Sequence, residues 1–126
     1  MAWQDDARRV IADYSRIRLA VVFGSTARGR RRRDSDIDIG VLLDESGPDI
    51  AQALEVDLAR ALGRTVDLIV LNTAPPLLRF EVAREGEVMF ARDEYEWTDF
   101  KARAMVDWWD WAPTARRLHA AAARLR

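Results

Sequence analysis

Apolar positions in this chain fall into two kinds of run, short unbroken β-branched ones and longer ones recurring every three or four residues. "WQDDARRVIADYS" (3–15) sets Trp3, Ala7, Val10, Ile11 and Tyr14 at helical spacing and predicts an amphipathic helix. "IRLAVVF" (17–23), apolar and stopped by Gly24, predicts a buried strand. A brief helical turn is expected at "STARG", with Ser25 suited to its first positions. "DIDIGVLL" (36–43) alternates and then turns apolar, which predicts a second strand entering the core. "PDIAQALEVDLARALG" (48–63) opens on Pro48, repeats Ile50, Leu54, Leu58 and Leu62, and stops at Gly63, the pattern of a helix. "TVDLIVL" (65–71) predicts a third strand. "APPLLRFEVAREG" (74–86) predicts a helix carrying Leu77, Phe80, Val82 and Ala83, and "EVMFA" (87–91) a short fourth strand. A helix over 93–112 and a last one from Pro113 complete the list.

This order describes one α/β (α+β) domain over 1–126: a small mixed β-sheet flanked by helices, with a C-terminal helical extension from about 93. The connection between the first two strands is short, so they are expected to be antiparallel. Length changes little, since 126 residues suit one compact domain. Charge matters more. With 20 basic and 21 acidic residues the net charge is -1, which argues against a non-specific nucleic-acid binder. The absence of cysteine excludes disulfides and cysteine-based zinc sites. "MAWQDDARRV" has no apolar signal core, and no apolar run reaches membrane-spanning length, so a cytoplasmic protein is expected.

Candidate chemistry gathers where the first strand ends. Asp36 and Asp38 are two apart, so a strand puts both carboxylates on one face while Ile37, Ile39 and Val41 point the other way. Such a pair repels itself unless a cation sits between, and magnesium suits hard oxygen donors. Zinc would ask for His or Cys, and the single histidine, His119, is far along the chain. Asp67 lies alone inside the apolar "TVDLIVL". If the third strand neighbours the second, Asp67 reaches the same cluster as a third ligand or as a base toward an attacking hydroxyl. Gly24 lets backbone approach a ligand, and the Ser25 hydroxyl with the free N–H groups of the next turn forms an anion cradle. A calcium loop is excluded because Ile39 occupies the position where its glycine belongs.

"GSTARG" followed by "SDIDIGVL", with ten residues between Ser25 and Asp36, resembles the Gly-Ser…Asp-x-Asp signature of the polymerase-beta-type nucleotidyltransferase superfamily. The small size resembles its minimal, MNT-type branch, commonly the antitoxins of HEPN–MNT pairs. "VDLIVLNTAPPLLRFEVAREGEVMFARD" extends the likeness, which covers about 17–95. The resemblance implies a nucleotidyltransferase fold, Gly24 and Ser25 at the triphosphate of ATP, and two magnesium ions on Asp36 and Asp38 with Asp67 as the third carboxylate. It also implies AMP transfer to a tyrosine hydroxyl of a partner HEPN toxin in a hetero-oligomer. Arg28, inside the turn, is a candidate phosphate contact or a structural ion pair, and Arg30 to Arg33 read as a solvated loop tip. Two other readings stay open: an antitoxin that neutralises by binding alone, and a nucleotidyltransferase for a small molecule such as an aminoglycoside.

Four of the five tryptophans lie in "WTDFKARAMVDWWDWA". Trp97, Phe100, Ala104, Trp108 and Trp111 form one helical stripe, expected to close the core. Met105, Trp109 and Ala112 form a second, expected to face a partner, with the basic, alanine-rich tail after Pro113 as its continuation. His119, Glu45, Glu55 and Asp57 are expected on the surface.

Overall fold

The structure is a computed structural model that describes residues 3–24, 36–45 and 48–124. Its elements are α1 (Trp3–Ala12), β1 (Ile17–Phe23), β2 (Ile37–Leu43), α2 (Pro48–Leu62), β3 (Val66–Val70), α3 (Pro76–Glu85), β4 (Glu87–Ala91) and α4 (Glu96–Arg124). The strands form one sheet in the order β3-β2-β1-β4. β1 pairs antiparallel with both β2 and β4, whereas β2 and β3 run parallel, so the sheet is mixed as the short first connection required. The turn expected at "STARG" lies outside the described residues.

Each face of the sheet has its own core. Ile37, Ile39, Val41 and Leu43 of β2 pack with Ala7 and Ile11 of α1 and with Leu54 and Leu58 of α2. On the opposite face Leu19, Val21 and Phe23 of β1 meet Val82 and Ala83 of α3 and Phe100 and Ala104 of α4. Ala7 and Ile11, one helical turn apart, are fully buried, which anchors α1 by the face its spacing predicted. Gly63 stops α2 at φ +61°, a backbone state that β-carbon crowding disfavours in other residues. The Tyr14 hydroxyl, just past α1, donates to Asp57 of α2 and ties the two helices. The side chain of Asn72 accepts from the Leu43 N–H at 2.9 Å and donates to the Leu43 carbonyl at 2.8 Å, so it continues the ladder where β3 stops.

Three expectations change. α4 is one helix that runs through Pro113, not two helices meeting there. Proline removes one N–H and crowds the carbonyl four residues back, a cost of about 3 kcal/mol, but the alanine-rich stretch beyond it favours helix strongly enough for the helix to continue. Trp111, assigned to the core stripe, is exposed; that stripe stays covered only as far as Trp108, whose ring stacks on Phe80 at 5.4 Å. In α3 the exposed leucine is Leu77, and Leu78 packs inward instead.

One long-range contact had no local signal. Glu96, only 4% exposed, accepts two bonds from the Arg18 guanidinium, Nε to Oε2 at 3.0 Å and Nη2 to Oε1 at 2.8 Å. This fork fixes the start of α4 to the start of β1. Replacing Arg18 with methionine leaves a buried carboxylate whose remaining ion pair among the described residues is Arg92 at 3.5 Å, and is expected to cost about 3 kcal/mol, read from urea unfolding. Among the described residues no helix is long and apolar enough to cross a membrane.

Candidate active site

β2 brings its acidic residue to the sheet face opposite α1 and α2. Ile37 and Ile39 face those helices, so strand alternation turns Asp38 to the other side, the side of Leu42, Phe23 and helices α3 and α4. Parallel pairing then does what sequence spacing could only suggest. Asp38 stands in register with Asp67 of β3, and Ile37 and Ile39 with Val66 and Leu68. Neighbouring strands lie about 4.8 Å apart, so the two carboxylates are same-face neighbours on adjacent strands. The Ile37 N–H donates to the Thr65 carbonyl at 3.0 Å and locks this register at the very start of the pair. Asp36 lies one residue before β2 and is exposed, as is Asp67.

Across the antiparallel side Asp38 is paired with Phe23, 8% exposed and part of the apolar cluster on that face. Burial pushes the Asp38 carboxyl above the usual carboxylate range, and the negative charges of Asp67 and Asp36 push it the same way. Gly24 follows Phe23 with φ +71°. A β-carbon placed there would sit 2.5 Å from Asp38 Oδ2 and 3.3 Å from its Cγ. The glycine therefore has two reasons: the left-handed turn out of the strand, and room for the carboxylate beside it. The sequence suggested the end of the strand and close approach to a ligand, but not the room that Asp38 needs.

Ser25, Arg28 and Arg30 to Arg33 lie outside the described residues. Those described bring Asp38 and Asp67 together in register, with Asp36 near enough to act on Asp38 electrostatically. No three His, Cys, Asp or Glu side chains among the described residues stand together as a ready-made metal cluster. The donor chemistry nonetheless suits a hard divalent cation: every donor is a carboxylate, and their mutual repulsion at Asp38 is what such a cation offsets. Phe23 escaped sequence reasoning as a site residue, although its position next to Gly24 at the end of an apolar strand was the available signal. His119 is exposed on α4 and no part of this cluster.

Comparison with known proteins identifies the family of this fold. The model of the family described as polymerase beta, nucleotidyltransferase matches residues 6–95, which hold β1 through β4 and all three aspartates. The chain belongs to this nucleotidyltransferase family. It is 35% identical over 80 residues to the protein adenylyltransferase MntA of Shewanella oneidensis, a match spanning 63% of this chain and 58% of that relative's length. A second protein adenylyltransferase MntA, from Aphanizomenon flos-aquae, is 24% identical over 109 residues, covering 78% of this chain and 73% of that relative. Among solved structures, a chain of a toxin–antitoxin crystal structure with AMP-PNP has a TM-score of 0.82 at 25% identity, over 98% of each chain. These likenesses agree with the nucleotidyltransferase fold that the resemblance of the sequence implied.

Proposed function

We propose that this chain is a magnesium-dependent protein adenylyltransferase that transfers AMP from ATP to a tyrosine hydroxyl of a partner HEPN toxin and so acts as its antitoxin. The observation that carries the reading is the register pair of Asp38 and Asp67 beside Gly24, on a sheet of the nucleotidyltransferase family. Relatives named protein adenylyltransferases, and the likeness to a toxin–antitoxin chain solved with AMP-PNP, support it.

In this reading Asp36 and Asp38 hold magnesium, two ions in all, with Asp67 as the third carboxylate. When bound, the metal neutralises charge developing on the phosphates. The chain's own residues do the rest. Gly24 keeps the strand end clear of Asp38, so that carboxylate is held ready on the sheet face. Ser25 and the N–H groups after it cradle the triphosphate, with Arg28 as a further phosphate contact. Asp67, exposed on the neighbouring strand, can orient the acceptor hydroxyl or take its proton. The acceptor oxygen bonds to the α-phosphorus, the bond from that phosphorus to the bridging oxygen breaks, and pyrophosphate leaves with its electron pair.

Incubation with α-labelled ATP, magnesium and the HEPN protein of the neighbouring reading frame tests this. The toxin is expected to acquire label, with mass spectrometry placing AMP on tyrosine. An unlabelled toxin, still neutralised by Asp36→Asn and Asp38→Asn variants, would instead assign protection to binding alone.

A further inference from the structure

Helix α4 outruns the domain that carries it. Its 29 residues extend roughly 43 Å at 1.5 Å each, yet Glu96, Phe100 and Ala104, all in its first third, are its only buried residues among those described. Beyond them Val106 is 51% exposed, Trp109 66% and Leu118 58%, and every described residue from Arg116 to Arg124 is exposed. Past Pro113 the helix continues with none of its described residues buried, so nothing in the described domain covers it. The same stretch bears a groove of about 490 Å³ lined by Trp108, Trp109, Ala112, Arg116 and His119, among others. An apolar floor with the Arg116 cation at its edge, on an otherwise bare helix, is the form of a docking surface.

Charge narrows the occupant. Residues 113–126 include Arg116, Arg117, Arg124 and Arg126 and no Asp or Glu. A second copy aligned parallel and in register on this stretch would bring the same arginines against them, and like charges face to face disfavour that pairing. A partner helix with an apolar ridge bordered by Asp and Glu satisfies both the groove and its cationic edge. The likeness to the toxin–antitoxin chain spans 98% of both chains, so the arm is part of what they share.

We propose that the α4 arm docks such an acidic-bordered helix of the HEPN partner in the groove around Trp109 and Arg116, and so presents the acceptor hydroxyl to the aspartates. This rests on the functional reading above. The test titrates the HEPN toxin by calorimetry into the full chain, into Trp109→Ala and into Arg116→Glu/Arg117→Glu, and follows AMP transfer over a range of toxin concentration. Each variant is expected to raise Kd at least about 10-fold and KM for toxin in step, with kcat at saturating toxin unchanged. Should Trp109→Ala lose helix by circular dichroism, the charge-reversal variant, altered only at exposed positions, decides. Unchanged Kd and KM in that variant overturn the docking surface while leaving the enzymatic reading intact. Wild-type chain that sediments as a dimer, and as a monomer once Trp109 is replaced, assigns the face to a second copy and also overturns it. A wild-type chain that neither binds nor labels the toxin overturns the functional reading and this surface together.

Discussion

Asp38→Asn is expected to reduce AMP transfer by at least about 10²-fold and, in metal-free buffer near neutral pH, to raise the melting temperature. The opposite signs come from one cause. Asp38 is partly buried against Phe23 with Asp67 in register beside it, and burial followed by those neighbouring charges holds its carboxyl above the ordinary range. A carboxyl raised on folding favours its neutral form. Its contribution to stability is complete below the ordinary carboxylate pKa and is lost as pH rises through the raised value. Above that raised value the ionised group is a liability, and asparagine, of the same shape without the charge, removes it. Magnesium is expected to reverse the ranking by stabilising the wild-type chain and much less the variant. Thermal unfolding of both proteins in chelator and in excess magnesium checks this. An Asp38→Asn chain no more stable than wild type in chelator, across neutral pH, would mean that the carboxylates do not strain one another.

How far the sequence carried this site can be traced residue by residue. The limits of β1 and the alternation of β2 were legible because β-branched runs end at Gly24 and begin at Asp36, and alternation alone put Asp38 opposite Ile37 and Ile39. The partnership of Asp38 with Asp67 was legible only as a condition. Register between parallel strands is set by contacts such as Ile37 N–H to the Thr65 carbonyl, and those leave no mark in spacing. Arg18 and Glu96, 78 positions apart, form their fork through packing that no local pattern encodes. Pro113 misled in the other direction. Its local rule, that helices end before proline, was outweighed by the alanine-rich residues after it, and Trp111 was misplaced because helical spacing says which residues share a stripe but not where the domain beneath that stripe ends.

Gly24→Ala tests the site from its neutral side. Alanine at φ +71° carries a strain of about 1–2 kcal/mol, and its β-carbon would approach Asp38 Oδ2 to 2.5 Å, closer than such atoms pack. Either the strand end or the Asp38 carboxylate must move, and a displacement near 1 Å at a reacting centre costs about 10²-fold in rate. AMP transfer is therefore expected to fall by that order while toxin affinity, which we propose the α4 arm sets, stays put. Stability separates this variant from Asp38→Asn, because Gly24→Ala lowers the melting temperature instead of raising it. The two sites touch, so their effects are expected not to add. With Asp38 shortened to alanine the colliding oxygen is gone, and Gly24→Ala then costs only its backbone strain. Urea unfolding of the four proteins of that cycle gives the coupling directly. Full additivity would place the Asp38 carboxylate away from Gly24 and leave the rate loss without its steric explanation.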